Sequence, residues 1–371
     1  MAAQEAQEAR PAAAEALKVP LEAPTPESTP EPRAELTPEQ QTKYTTLLER
    51  ARSISEVKCA SKNHQDKSGP VTEHERAWLT RECILRYLRA TNWAVGESEQ
   101  RLRDTLAWRR EYGLDAFTAD YISPEQETGK QIIVGFDKQA RPCQYLNPGR
   151  QNTDPSPRQI HHLFYMVERV VDVMPPGVEK LNLMINFKPS AQRQNTSVPV
   201  STAREVLHIL QSHYPERLGK ALIINVPWIV RGFFKLIQPF MHPVTREKLK
   251  FNEDMRQFVP AAQLWSSDWN GDLDFEYDHA VYWPALNDMC RRRREERLAR
   301  SVATQRFMLR RVNVGPCRRS DVRAQGVDKA AGLESLQDDD GQGYGFIQMR
   351  LCALKSGICM TARPKQGAVG P

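Results

Sequence analysis

The sequence lacks any apolar run approaching the length of a membrane span, a basic-then-apolar leader at its start, and a C-x-x-C pair. The first two absences argue against an integral helical membrane protein and a secreted one, so the expectation is a cytoplasmic chain. Seven cysteines (Cys59, Cys83, Cys143, Cys290, Cys317, Cys352 and Cys359) are odd in number and scattered, which argues against a disulfide framework or zinc site and for a reducing compartment. Also missing are a G-x-x-x-x-G-K-[ST] phosphate loop, a G-x-S-x-G nucleophile elbow and an H-E-x-x-H metal pair. Gly219-Lys220 and Gly129-Lys130 lack the upstream glycine and the following hydroxyl, and Gly341 to Gly345 is not placed between a strand and a helix. His161 and His162 are sequential, and His208 and His213 sit five apart, so neither pair puts two ligands on one helical face. These absences favour a binding protein: no enzyme, no cofactor, no metal.

What is present begins with charge. The chain has 52 basic and 46 acidic residues, a net charge of +6. Eleven basic and six acidic residues fall in Ser301 to Pro371, so most of the surplus lies in an aromatic-poor tail, which disfavours nucleic acid as a partner. Residues 1–39 are rich in Ala, Glu and Pro and are expected to be disordered. From Glu73 to Tyr112 two helical stripes follow, Trp78, Cys83, Ile84, Tyr87 and Leu88, then Leu102, Leu106, Trp108 and Tyr112, broken at Asn92 to Gly96.

The period then changes. Gln131 to Phe136 and Cys143 to Leu146 read as a hairpin, and Pro155 to Val173 as a helix. Leu181 to Phe187 and Ala221 to Val226 read as strands buried on both faces, with a helix between them from Ser201 as N-cap to about Tyr214. This order predicts an α/β fold with a mainly parallel sheet. After about Ser301 the pattern stops abruptly, as a translated intron or alternative exon would make it, and residues 291–371 read as a basic, disordered tail whose Arg291 to Arg294 run either ends a helix or touches anionic membrane.

One segment suggests a lipid. Between Trp228 and Met241, Ile229, Val230, Phe233, Phe234, Leu236, Ile237, Phe240 and Met241 cover an arc of roughly 160° on a helical wheel, with Arg231, Lys235 and Gln238 opposite. Such a helix either packs on the sheet or acts as a lid. Pro239 within the pattern and Gly232 near its start favour the lid. A lid has an energetic use, because a phospholipid with roughly thirty methylenes, at about 0.8 kcal/mol each, leaves a bilayer only into near-complete enclosure. Just beyond, Thr245 and Lys248 point the same way on a helical turn, and a hydroxyl with an ammonium suits a phosphate as well as it suits a solvated turn.

Leu85-Arg86-Tyr87-Leu88-Arg89-Ala90, Trp108-Arg109-Arg110, Tyr214-Pro215-Glu216-Arg217-Leu218-Gly219-Lys220, Pro239-Phe240 and Pro243-Val244-Thr245 together resemble the CRAL-TRIO lipid-transfer family, from about Glu75 to Arg300. Asn147 to Thr153 and Val281 to Leu286 look like the fungal phosphatidylinositol transfer proteins of the azole drug-resistance type. Thr91-Asn92 stands where the best-known yeast member has Arg-Lys. The resemblance implies a CRAL-TRIO fold: a helical N-terminal subdomain (40–125) and a lipid-binding domain (126–290) whose sheet floors a hydrophobic cavity closed by a mobile gate helix. It implies a phosphatidylinositol headgroup near Glu216, Thr245 and Lys248, with acyl chains against Phe233, Phe234, Leu236, Ile237, Phe240 and Met241. Glu216 has a plainer role open to it, pairing with Arg217 or Lys220 on an ordinary loop. By the same resemblance the protein is a monomer that exchanges phosphatidylinositol between membranes and presents it to lipid kinases. The other ligand that the resemblance leaves open is a sterol or a second phospholipid, and a lipid sensor or scaffold without transfer is the alternative function. The expected place is the cytoplasm, with peripheral association to the endoplasmic reticulum, lipid droplets or other internal membranes.

Overall fold

The computed structural model describes residues 15–189 and 199–313; for Val200, Ile229, Phe233 and residues 301–313 it describes the backbone alone. Capping threonines start most of the early helices. Thr37 accepts from the Gln40 amide and opens α1 (Pro38–Ser53). A small antiparallel pair, β1 (Glu56–Val57) and β2 (Gly69–Pro70), follows. Thr72 caps α2 (Glu73–Trp78) and Thr80 caps α3 (Arg81–Ala90), each accepting from the backbone three residues on. The break between α3 and α4 (Val95–Tyr112) is built by Asn92 and Trp93, both at positive φ, and by the buried Thr91 hydroxyl 2.6 Å from that of Ser98. Asparagine tolerates the left-handed region better than most residues, so Thr91-Asn92 has a local structural role here. Leu47, Cys83, Ile84, Tyr87, Leu88 and Leu102 fill the core of this helical part, and α5 (Ala119–Gln126) leads into the sheet.

Among the described residues the main sheet has five strands in the order β3-β4-β5-β6-β7: β3 (Gln131–Phe136), β4 (Pro142–Leu146), β5 (Leu181–Asn186), β6 (Leu218–Ile224) and β7 (Leu249–Phe251). Only β3 and β4 are antiparallel; β4 through β7 run parallel, joined by crossovers that carry α6 (Pro157–Val173), α7 (Val200–His213), and α8 (Trp228–Ile237) with α9 (Pro243–Glu247). All six residues of β3 are buried although it is an edge strand. Its outward backbone groups are met by side chains: the Tyr282 hydroxyl accepts from the Ile133 amide at 2.6 Å and donates to the Ile133 carbonyl at 3.0 Å, and Gln263 Oε1 accepts from the Phe136 amide at 3.0 Å. That closes the edge against pairing with another chain. Gly135, at φ +74, is required there, since a Cβ would lie 2.0 Å from the Gln263 carbonyl oxygen. Tyr282→Phe keeps the ring and strands both Ile133 groups in a dry site, so a loss of about 1–3 kcal/mol is expected in urea denaturation; an unchanged midpoint would mean that another group takes over the strand edge.

Tyr282 belongs to α10 (His279–Asn313), and this helix corrects one expectation. Residues 291–313, read as the start of a disordered tail, continue the helix. Arg294 Nη1 lies 2.7 Å from Asp172 Oδ2, Arg297 pairs with the same carboxylate, and Arg293 donates to the Val173 carbonyl at 2.6 Å. Arg291 and Arg292 pair with Asp288, Glu295 and Glu22, so the run is engaged within the protein. Residues 314–371, with the rest of the expected tail, lie outside the described residues.

The other end needs a similar correction. Residues 1–14 lie outside the described residues, but 15–37 run along the body. Leu17 donates to the Asp274 carbonyl and accepts from the Glu276 amide, both at 2.9 Å, while Leu17 and Leu21 pack on the main core. Proline-rich composition predicts no regular structure, and within residues 15–37 a single parallel β-bridge, Leu17 to Phe275, is all there is; the segment is held by what it lies against. Two helix limits also differ. Pro199 is the N-cap of α7, leaving Ser201 in the first turn, and α8 ends at Ile237 because Pro239 turns the chain into a 3-10 segment at Gln238–Phe240.

Candidate functional site

The starts of the parallel strands bring the expected headgroup residues together. α9 ends at Glu247, and Lys248 closes its last turn by donating its amide to the Thr245 carbonyl at 3.2 Å. The Lys248 carbonyl then accepts from the Ala221 amide of β6 at 2.9 Å, so β-pairing fixes this lysine at the head of β7. Both side chains are partly buried. Burial pushes the Lys248 ammonium below its ordinary pKa; the nearby Glu216 carboxylate opposes that, while Lys180 and Arg141 add to it.

Glu216 lies in the turn after α7 at φ +59, in a loop with its own reason to be tight. It forms no ion pair within 4 Å among the described residues, so pairing with Arg217 or Lys220 is not its role. Arg217 instead donates to the Glu179 carbonyl at 2.9 Å, and burial together with the charge of Arg86 pushes it down to about 9. A carboxylate and an ammonium therefore share an environment without closing on each other, and the Thr245 hydroxyl has no partner among the described residues.

At the other end of β7 lies α8. Phe234 packs edge-on against Phe187, just past β5, and Phe251 of β7, with centroids 6.4 and 5.5 Å apart. Ile237 and Met241 are buried, but Leu236 is 56% exposed, Phe240 38% and Trp228 83%. The apolar arc is thus divided between contact with the sheet and contact with solvent; the Phe233 side chain lies outside the described residues. Trp228 was not among the expected contact residues, and its only signal in the sequence was a tryptophan opening an apolar helix. Two cavities open elsewhere, of about 240 Å³ beside Asn147, Arg150 and Trp265 and about 460 Å³ between Ile54, Leu106 and Trp108. Neither touches α8.

A buried ionic spine ties these parts to the helical domain. Arg109 of α4 donates two hydrogen bonds to Glu168 of α6, at 2.9 and 3.0 Å, and the Tyr214 hydroxyl donates to the same carboxylate at 2.8 Å. Nearby, His213 stacks on Trp108 with centroids 4.3 Å apart, and burial together with His208 pushes its pKa down to about 4. His162 is buried among Gln126 and Gln131. Among the described residues no group of three or more His, Cys, Asp or Glu is placed to hold a metal, and no helix is long and apolar enough to cross a membrane.

Two family models match the chain, the CRAL/TRIO N-terminal domain over residues 43–104 and the CRAL/TRIO domain over 126–271. A CRAL-TRIO domain-containing protein of Schizosaccharomyces pombe is 53% identical over 259 residues, 70% of this chain and 25% of that protein. The phosphatidylinositol transfer protein PDR17 of Saccharomyces cerevisiae is 44% identical over 227 residues, 58% of this chain and 65% of its own. The SEC14 cytosolic factor of Candida glabrata is 27% identical over 209 residues, 50% of this chain and 69% of its own. The chain thus spans a quarter of the first relative's length and just under two thirds of the second's.

Proposed function

The chain belongs to the CRAL/TRIO family, and from that premise we propose that it is a phosphatidylinositol transfer protein, working as a monomer in the cytoplasm and docking transiently on membranes. The observation that carries this is the short strand β7, which has at its head Lys248, whose nearest carboxylate does not close on it, and at its other end Phe251, packed on Phe234 of the half-covered aromatic helix α8. Support for the ligand comes from the 44% identity to a protein named for phosphatidylinositol transfer, and for the compartment from a relative named a cytosolic factor.

In this mechanism α8 swings off Phe187 and Phe251 at a bilayer and admits two acyl chains beneath Phe234 and Ile237. Such a motion is needed, because a phospholipid is larger than the molecules held by pockets of up to about 1,000 Å³. Lys248 and the Thr245 hydroxyl hold the phosphate, and Glu216 accepts hydrogen bonds from the inositol hydroxyls. No bond is made or broken. Handing the lipid to lipid kinases is a further part of the proposal.

Native mass spectrometry with lipidomics on protein purified from its own cytosol tests this directly. Phosphatidylinositol is expected in equimolar amount, and Lys248→Ala is expected to weaken its retention about tenfold or more through loss of one charge-assisted hydrogen bond. A sterol in its place, untouched by the variant, would move the protein to the sterol-binding sensor alternative. Equal loss of all lipids would assign Lys248 to folding.

A further inference from the structure

Four cations mark the starts of four neighbouring strands: Arg141 before β4, Lys180 before β5, Lys220 near the start of β6 and Lys248 before β7. A carboxylate remote in sequence enters this row. Glu31 Oε2 lies 2.9 Å from Lys180 Nζ and its Oε1 lies 3.4 Å from Arg141 Nη2. Burial raises the Glu31 pKa, but its bond to Lys180 and the charges of Lys180, Arg141 and Lys220 bring it below the usual carboxylate range. Arg141 has a second partner, Asp137, at 3.1 Å. Lys180 has no other carboxylate within 4 Å among the described residues, and Lys220 and Lys248 have none there. Without Glu31 the row therefore carries an unbalanced positive charge on partly buried side chains, which is a costly arrangement unless an anion joins it.

The segment bearing Glu31 is lightly attached. Before Glu31 its backbone bonds to the body at Leu17, at the Glu22 and Ala23 carbonyls, which accept from Arg293 and Gln263, and at Thr29, which donates to the Lys138 carbonyl at 3.1 Å. From Pro30 to Leu36 no backbone hydrogen bond joins it to the body among the described residues. Pro30 and Pro32 flank Glu31 and have no amide hydrogen to give. What holds this stretch is Glu31 itself, Arg33 paired with Glu82 at 3.3 Å, and Leu36 packed at its end. Lifting it breaks ion pairs but no backbone ladder, and the cost of uncovering Arg141 and Lys180 is offset when another anion takes the place of Glu31.

We propose that the Glu31 carboxylate occupies a phosphate-monoester subsite formed by Arg141, Lys180 and Lys220, and that such a phosphate, carried on an inositol lipid headgroup or free, binds there when the Pro30–Leu36 stretch lifts away. For the lipid form this rests on the headgroup position proposed above, beside Lys248; for the soluble anion it does not. The segment then acts as a selectivity device. It leaves room for plain phosphatidylinositol and competes with phosphorylated forms.

The test compares wild type, Glu31→Gln and Glu31→Gln/Lys180→Gln, each as the full chain. Four probes are used: phosphatidylcholine vesicles carrying phosphatidylinositol, the same carrying phosphatidylinositol monophosphate, soluble inositol bisphosphate, and inorganic phosphate. Glu31→Gln is expected to tighten binding of the monophosphate lipid and the bisphosphate about tenfold, to change phosphatidylinositol by less than about twofold, and to lose its gain in the double variant. A gain with inorganic phosphate alone still supports the subsite and assigns it to a free anion. Unchanged binding of every phosphomonoester probe overturns the proposal, as does an equal gain for phosphatidylinositol or a gain that survives loss of Lys180. If wild type binds no phosphatidylinositol while Glu31→Gln still gains the bisphosphate, the headgroup site fails and the subsite stands.

Discussion

Replacing Glu168 by alanine is expected to destabilise the protein by about 3–5 kcal/mol, because it leaves the Arg109 guanidinium buried without its main counter-charge. Only 8% of the Arg109 side chain is exposed; its second carboxylate, Asp115 at 3.2 Å, is mostly in solvent, and its other neighbour is the Trp78 ring, 5.6 Å away. Burial alone would raise the Glu168 pKa, yet the charge and hydrogen bonds of Arg109, helped by the Tyr214 hydroxyl, lower it to about 2 against an ordinary 4.5. Because the folded value is the lower one, the contribution is fully present above about pH 4.5 and fades as pH falls towards 2. A shift of that size corresponds to a contribution on the order of 3 kcal/mol. Urea denaturation at neutral and acid pH checks both halves. The variant should be less stable at pH 7 and should lose less on acidification than wild type; a loss below about 1 kcal/mol would mean that Asp115 and solvent suffice for Arg109.

The second large effect concerns transfer. Trp228→Glu with Leu236→Glu is expected to lower the rate of lipid movement between vesicles about a hundredfold while leaving the far-ultraviolet circular dichroism unchanged. Both side chains face solvent, so the fold gains little from them. At a bilayer each would bury apolar surface worth about 1.5–3 kcal/mol, and a tryptophan settles well at the headgroup level. Arg231 and Lys235, exposed on the same helix, are placed to meet anionic lipid. A fluorescence-dequenching assay reads the rate. A double variant that transfers at the wild-type rate would remove α8 from the membrane contact and return it to ordinary packing.

Local pattern determined a good part of this protein. Gln131 to Phe136 was legible as one arm of a hairpin, and Leu181 to Phe187 and Ala221 to Val226 as strands because a strand buried on both faces needs an unbroken apolar run; they became β3, β5 and β6. The stripes at 73–112 were legible because helical spacing is set within one or two turns. The relation of Thr245 to Lys248 was legible for the same reason, and the structure links them through one backbone hydrogen bond.

Contacts between distant residues were not legible. Nothing near Arg294 or Arg297 in the chain announces Asp172, and nothing near Leu17 announces Asp274, so the ordered segment 15–37 and the long α10 both escaped a reading based on composition. β7, at three residues, is too short to show a period. Glu216 stands near Lys248 only because adjacent parallel strands bring their starts together, and Glu31 meets Lys180 and Arg141 only because residues 15–37 cross that same edge. The sequence by itself determined the longer helices and strands between residues 73 and 226, since periodicity is a property of neighbours. Tertiary structure alone decided which charges meet, since sheet order and register set those distances across more than a hundred residues.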